Sequence, residues 1–216
     1  AAQLLRTGVE LVVPRQIDGA HGTCHEVAGN DLCFMHVRDD RDALASVLRA
    51  SATVADVVIS SGGVSAGEAD FLPGLIAELG RVHFWKVKMR PGMPLLCGEI
   101  GGSLMVGLPG NPVSSLATLI AIITPGFEAM QRIAKVDAKP TLHARISCDW
   151  DKKHDRTEFL RAQLEHRDDG TVWATPIGRQ GSGMLGGMAE SDVLLELGED
   201  VGHFAAGTLL NALRLP

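Results

Sequence analysis

A short β-branched run that ends in a Ser/Gly-rich turn restricts the fold of this chain more than any other segment. Residues 55–60 read Ala-Asp-Val-Val-Ile-Ser and lead into Ser61-Gly62-Gly63. Such a run is typical of a buried parallel strand that enters a tight loop. Apolar residues at helical spacing flank it on both sides, in residues 39–48 and 71–79. The alternation predicts a domain of the α/β class.

The segments that follow extend this prediction. Residues 82–87 and 103–106 predict two more strands. Pro112 begins a strongly apolar helix that continues to about Ile133, and Pro125 is expected to break or kink it. Strand, loop, helix and strand in this order predict a doubly wound, mostly parallel sheet flanked by helices. Residues 16–30 are rich in Gly, His and polar residues and lack the helical periodicity that such a fold normally has there.

The pattern changes after Lys139-Pro140. Short runs with partial alternation predict strands at residues 141–147, 158–165, 171–176, 192–197 and 208–215. Asp169-Gly170 between two of these runs indicates a β-hairpin. We therefore predict an α/β domain over residues 1–138 and a small β-barrel over residues 139–216, with residues 134–139 as the linker.

Charge and composition exclude some functions. The net charge of −6 disfavours sequence-independent binding to nucleic acid and binding to an anionic membrane. The longest apolar run, residues 116–125, is shorter than the ~20 residues of a membrane helix, and residues 1–14 show no signal pattern. The four cysteines form no CxxC pair, which favours free thiols in a reducing cytoplasm.

The first candidate site is the loop SSGGVSAGEAD at residues 60–70. Backbone N–H groups of a Ser/Gly-rich loop between a strand and a helix suit phosphate oxygens. Glu68 and Asp70 suit Mg²⁺, but taken alone they are more typical of ordinary helix capping. A plain strand-to-helix turn is the alternative for the whole loop. The candidate binding residues are Ser61, Gly62, Gly63, Ser65 and Gly67.

The second candidate is the basic segment FWKVKMRPG at residues 84–92. If it is a strand, alternation places Lys86, Lys88 and Arg90 on one side. This predicts a focused positive patch on an acidic protein, and an edge strand protected by lysines is the alternative.

The third candidate is the loop GLPGNPVSS at residues 107–115. Its prolines and glycines stiffen the turn, and Pro112 suits the first position of the next helix. The loop therefore aims a helix N-terminus, which favours anions. The candidate binding residues are Pro109, Gly110, Asn111, Pro112 and Ser114.

Weaker candidates lie elsewhere. The spacing of His21, Cys24, His25, Cys33 and His36 matches no standard zinc finger, so loop residues are the preferred interpretation. Taken alone, Arg161 and Ser182 are expected at the surface.

The motifs SSGGVSxGExD, FWKVxMxPGxP and GLPGNPVS, in this order and spacing, resemble the C-terminal half of the MoeA family. That family comprises the molybdopterin molybdenumtransferases and includes the gephyrin E domain. The resemblance runs from about Asp39 to the C-terminus. It implies a molybdopterin-binding α/β domain followed by a β-barrel, and the insertion of molybdate into adenylated molybdopterin with Mg²⁺ assisting and AMP released.

The resemblance also implies roles for single residues. It implies the catalytic residues Asp39, Asp70, Lys86 and Arg90, and the metal ligands Glu10, Asp39 and Asp70. Pro109 and Pro112 match the loop prolines, and Arg161 and Ser182 match binding residues of the barrel. A homodimer with a shared active site and the molybdopterin adenylyltransferase are the implied partners.

Several departures from the family pattern leave alternatives open. Val9 replaces the usual acid, and the family's D-S-N segment is not recognisable between Pro14 and Val37. The two N-terminal domains of the family are not found, which is expected of a fragment or a divergent relative. One alternative is therefore a non-catalytic molybdopterin-binding or scaffold module. Another is the adenylyltransferase domain, against which the barrel and the basic segment argue.

Overall fold

The computed structural model describes residues 8–13, 22–27, 30–38, 40–65, 70–130, 142–178, 180–181 and 185–215. The chain forms two compact units. The sheet unit comprises Ala1–Val87 and Pro94–Gly110, and the barrel unit comprises Lys88–Met93 and Asn111–Pro216. The predicted linker lies outside the described residues, so the domain boundary near residue 138 stays a prediction.

The strands, in chain order, are β1 (Gly8–Val13), β2 (Gly22–Val27), β3 (Asn30–Arg38), β4 (Val57–Ser61), β5 (Arg81–Trp85), β6 (Met89–Arg90), β7 (Leu96–Ile100), β8 (Ser103–Leu108), β9 (Leu142–Ile146), β10 (Trp150–Lys152), β11 (Thr157–His166), β12 (Val172–Pro176), β13 (Val193–Leu197), β14 (Gly202–Phe204) and β15 (Leu209–Arg214). The helices are α1 (Arg41–Ala52), α2 (Leu72–Leu79), α3 (Pro112–Thr118), α4 (Thr124–Met130) and α5 (Leu185–Ala189).

The sheet unit contains a seven-stranded sheet in the order β2-β3-β1-β4-β8-β7-β5. Among these described strands, β4 and β8 form the parallel pair, and all other neighbours are antiparallel. The prediction of a mostly parallel sheet is therefore wrong. One physical reason is Gly101-Gly102, whose φ angles of 58° and 91° form the tight turn that returns β7 antiparallel into β8.

Both predicted helices of the sheet unit are confirmed. Asp40 accepts a hydrogen bond from the Ala43 N–H at 2.8 Å and so caps α1, and α2 ends at Gly80. The apolar face of each helix packs into one buried cluster, which includes Leu44, Leu48, Leu72, Leu75, Ile76, Leu96 and Met105. Residues 22–27 form β2, so the described part of the non-periodic segment is a strand.

The barrel unit closes five strands in the order β12-β9-β15-β13-β11, and β11 pairs with β12 to complete the ring. The short strand β6 adds to β11 in parallel. The five barrel strands predicted from the sequence and the Asp169-Gly170 hairpin are confirmed, with Gly170 at φ 79°. The interior is apolar and includes Ile146, Leu160, Val193, Leu195 and Leu197.

A helical segment, Pro112–Met130, joins α3 to α4 through a π-helical turn at Leu119–Ile123. The turn lies just before Pro125, which lacks the N–H that a regular α-helix would use. By length and composition the segment is apolar enough to cross a membrane, with a mean hydropathy of 1.5. The predicted apolar run, residues 116–125, lies inside this 19-residue segment, which also includes polar residues such as Ser115 and Glu128. Core helices of soluble proteins meet the same criterion.

The two-stranded ribbon of β10 and β14 carries an exposed histidine–carboxylate pair. His203 lies opposite Asp151, with its Nδ1 2.8 Å from Asp151 Oδ1 and its Nε2 3.9 Å from Asp149 Oδ2. The hydrogen bond to Asp151 is the main cause of a raised pKa for His203. The ion pair therefore stabilises the ribbon fully below the ordinary value of 6.5, and this contribution is lost as the pH rises through the folded-state pKa.

We expect an NMR titration of the His203 ring to give a midpoint above 6.5 that falls in Asp151→Asn. Asp168→Asn, in the turn between β11 and β12, is the matched control and should leave the midpoint in place. An unchanged midpoint in Asp151→Asn would contradict the assignment of the raised pKa to this pair.

Candidate functional site

The Gly-rich turn follows β4 at the edge of the sheet where the parallel pair ends. Gly62 and Gly63 have φ angles of 92° and 71°, which residues other than glycine rarely adopt. The Gly62 N–H donates to the Leu108 carbonyl at 3.0 Å. Because Ser61 pairs with Leu108, the loop after β4 and the loop after β8 leave the sheet side by side.

The two loops approach each other closely. A Cβ on Gly110 would lie 3.4 Å from Gly62 Cα, and a Cβ on Gly107 would lie 2.5 Å from Val64 Cγ1. Val64 is buried and covers Gly107. Because Gly107 and Gly110 have no side chains, the Gly-rich turn after β4 can fold back over β8. Ligands of open α/β sheets bind at such carboxyl ends of parallel strands.

Trp85, the last residue of β5, holds the same turn. Its indole N–H donates to the Val64 carbonyl at 2.9 Å. Lys86 follows at φ 69°, and its Nζ lies 4.4 Å from the centroid of the Trp85 ring. Lys86 is thereby placed beside the Gly-rich turn. Sequence reasoning missed the role of Trp85, because nothing in its spacing distinguishes it from a residue that only packs on the sheet.

The predicted row of three cations on one strand face is wrong. β5 ends at Trp85, and the left-handed backbone of Lys86 interrupts the alternation. Lys88 and Arg90 belong to the barrel unit, where β6 pairs with β11.

Both of these barrel cations have acidic neighbours. Lys88 Nζ lies 3.1 Å from Asp155 Oδ2 and 3.1 Å from Glu199 Oε2. These contacts raise the pKa of Lys88, and the hydrogen bond from Lys88 lowers the pKa of Asp155. Arg90 Nη1 lies 3.7 Å from Glu158 Oε1.

Asn111 caps the N-terminus of α3. Asn111 Oδ1 accepts hydrogen bonds from the N–H groups of Val113 at 3.1 Å and Ser114 at 3.3 Å. Pro112 at the first helical position has no N–H. The cap therefore uses two of the N–H donors that the sequence predicted for an anion.

Arg161 lies on β11 and is 2% exposed, so its expected surface position is wrong. Its Nη2 donates to the Gly181 carbonyl at 3.1 Å. Gln180 bonds to both backbone groups of Arg161, accepting at 3.1 Å and donating at 2.9 Å. Burial lowers the pKa of the Arg161 guanidinium. Arg161 is thus tied to the peptide that precedes Ser182.

The acidic candidates are only partly described. Register places Glu10 on β1 opposite Ser61, at the start of the Gly-rich turn. Asp70 is half-buried and directly precedes Phe71 at the start of α2. Asp39, Gly67, Glu68 and Ser182 lie outside the described residues, as do His21 and the side chains of Cys24, His25 and Cys33. Within the described part of the chain, no three His, Cys, Asp or Glu side chains form a metal-binding group.

Comparison with known proteins identifies the family. The profile described as "Probable molybdopterin binding domain" matches residues 23–129, and the profile described as "MoeA C-terminal region (domain IV)" matches residues 143–215. The chain belongs to the MoeA family. The Gly-rich turn and the loop after β8 lie in the first match, and Arg161 lies in the second.

Two relatives that match most of this chain are named molybdopterin molybdenumtransferase. The molybdopterin molybdenumtransferase of Haemophilus influenzae is 33% identical over 158 residues, which cover 73% of this chain and 39% of that protein. The protein of the same name from Synechocystis is 29% identical over 219 residues, covering 95% and 53%. The chain thus spans about two fifths to one half of these relatives.

A solved structure agrees with the fold. The molybdopterin biosynthesis MoeA protein of Pyrococcus horikoshii superposes with a TM-score of 0.65 at 29% identity, over 82% of this chain and 41% of that one. The MoeA-type fold expected from the sequence motifs is confirmed, apart from the direction of the strands in the sheet.

Proposed function

We propose that this chain binds adenylated molybdopterin and takes part in the insertion of molybdate, with release of AMP, as a molybdopterin molybdenumtransferase. The observation that carries the proposal is the pair of loops after β4 and β8, which meet at Gly62 and Gly110. The match of residues 23–129 to a molybdopterin-binding profile supports it.

In the proposed mechanism, the Gly-rich turn binds phosphate through its backbone. Ser61, Gly62, Gly63, Ser65 and Gly67 are the proposed contacts, although the Gly62 N–H already bonds to the Leu108 carbonyl. Lys86 supplies positive charge near this turn, and Arg90 is the second proposed cation. Fixed donors and cations stabilise the charge that develops when a molybdate oxygen attacks the adenylate phosphorus and the phosphoanhydride breaks. The two dithiolene thiols then displace AMP and one oxide, which leaves as water, from molybdenum. Molybdate is the substrate whose metal is transferred to the dithiolene sulfurs.

The carboxylates are proposed to hold Mg²⁺. Glu10, Asp39 and Asp70 would supply the oxygen donors that Mg²⁺ prefers, and the register of Glu10 beside Ser61 supports its inclusion. Bound Mg²⁺ would neutralise phosphate charge. Arg161 and Ser182 are the proposed ligand contacts of the barrel, and Pro109, Asn111, Pro112 and Ser114 those of the loop and helix.

Three further proposals concern the oligomeric state, the location and the partner enzyme of this protein. We propose a homodimer, a cytoplasmic location, and the molybdopterin adenylyltransferase as the source of the adenylated substrate. The mass of the protein in solution tests the dimer directly.

The test of the proposed function is binding and turnover by the full chain with adenylated molybdopterin, molybdate and Mg²⁺. We expect AMP release that Lys86→Ala and Asp70→Ala each reduce by at least about tenfold, since Lys86 supplies positive charge to the phosphates and Asp70 is a proposed Mg²⁺ ligand. Arg81→Ala, at the far end of β5 from Lys86, is the matched control. AMP release that is unchanged in both variants would refute the assignment, and binding without release would favour a non-catalytic module.

A further inference from the structure

The basic strand β6 is held against the barrel by backbone and side-chain contacts. Met89 and Arg90 pair in parallel with Thr157 and Glu158 of β11. The Thr157 N–H donates to the Lys88 carbonyl at 2.9 Å, which extends the pairing by one bond. This register places the Arg90 side chain next to that of Glu158.

Glu158 is a carboxylate inside the barrel unit, with 8% of its side chain exposed. Its Oε2 accepts a hydrogen bond from the Trp150 indole at 3.3 Å. Its Oε1 lies 3.7 Å from Arg90 Nη1 and 3.3 Å from His154 Nε2. A buried carboxylate needs such partners, because its desolvation is costly.

The His154 ring lies next to Glu158. Its Nδ1 accepts a hydrogen bond from the Arg156 N–H at 3.4 Å, so the neutral ring carries its proton on Nε2. That nitrogen lies close to Glu158 Oε1, but the approach is not aligned as a hydrogen bond, and Nε2 has no hydrogen-bond partner among the described residues. The hydrogen bond from Trp150 thus fixes the carboxylate, His154 lies beside it, and Arg90 is its half-exposed partner.

Lys88 has a different environment. Its two carboxylate partners, Asp155 and Glu199, are exposed side chains of the loops beside β11 and β13. The Lys88 charge is therefore satisfied within the barrel unit by two acids at hydrogen-bond distance.

We propose that Glu158 is a positioning residue for Arg90. This inference rests on the proposed function, in which Arg90 meets the phosphates of the ligand. An arginine side chain loses much conformational freedom on binding, and an ion pair formed beforehand with a fixed carboxylate reduces that loss. The ion pair at 3.7 Å orients the guanidinium without the tight bonds that would prevent it from binding phosphate.

A double-mutant cycle on the full chain tests this inference, with adenylated molybdopterin as the probe. We expect Glu158→Gln, which keeps the shape but removes the charge, to raise the dissociation constant about tenfold. In an Arg90→Ala background the same change should have no further effect. Glu165→Gln, on the exposed end of β11, is the matched control and should leave binding unchanged. If Glu158→Gln lowers the folded fraction, Glu158→Asp takes its place in the cycle.

Equal losses in the two backgrounds would overturn the positioning role, as would no loss in either. A second readout separates this inference from the proposed function. The Arg90 Nε–Hε NMR signal should report an ordered side chain in the wild type and a mobile one in Glu158→Gln, with or without ligand. Failure of the wild type to bind the probe would refute the proposed function alone, whereas an Arg90 signal that is unchanged in Glu158→Gln would refute the positioning role.

Discussion

Replacing Lys152 with Met is expected to lower the free energy of unfolding by about 2–4 kcal/mol. Lys152 is 2% exposed. Its Nζ donates to the carbonyl oxygens of His154 at 2.6 Å, Glu199 at 3.0 Å and Asp200 at 3.1 Å. Methionine has similar length but no donor, so three carbonyls of two separate loops lose their common partner.

The measurement is urea unfolding followed by tryptophan fluorescence. Lys153→Met is the matched control, because the neighbouring residue is the same type with an exposed side chain. We expect the control to change stability by less than about 0.5 kcal/mol. Similar unfolding midpoints for the two variants would show that the buried ammonium is not an anchor of these loops.

Gly92→Ala is the second change with a large expected effect, a loss of about 2–4 kcal/mol of stability. Gly92 has φ 112°, where an alanine is strained. A Cβ at this position would lie 2.5 Å from Thr118 Cγ2 of α3 and 3.3 Å from the Met89 side chain. The substitution therefore combines backbone strain with overpacking.

A second substitution can separate these two causes. Thr118→Ser removes the clashing methyl group but keeps the hydroxyl that donates to the carbonyls of Ser114 and Ser115. In the Gly92→Ala background it should restore part of the stability, and the unrestored part measures the backbone strain. Gly126→Ala in α4 is the control, since a Cβ there meets nothing within 4 Å. Full rescue by Thr118→Ser would contradict the strain, and no rescue would contradict the clash.

The sequence predicted those parts of the fold that local chemistry decides. The Asp169-Gly170 turn supplies a positive φ and an Asp169 carboxylate that accepts from the Thr171 N–H at 2.9 Å, so the hairpin follows from two residues. The α1 start follows in the same way from Asp40. The two candidate loops were also found from sequence, because turns rich in glycine and proline differ from their surroundings.

Features that depend on distant partners could not be predicted. Strand direction in the sheet depends on which strands become neighbours, and the hydrophobic pattern of a strand is the same in either direction. The end of β5 at Trp85 depends on contacts with Val64 and Leu95, and the burial of Arg161 depends on Gln180 and Gly181. No spacing within residues 84–92 or around Arg161 encodes these partners.

The pairing of β6 with β11 has a consequence for protein engineering. Lys88–Met93 belong to the barrel unit in space, although they lie between strands of the sheet unit along the chain. A fragment that begins at β9 would leave part of the β11 edge without its partner strand, and open edges promote association between chains. A barrel grafted onto another protein would therefore have to bring this six-residue segment with it, as a second insertion far from the first.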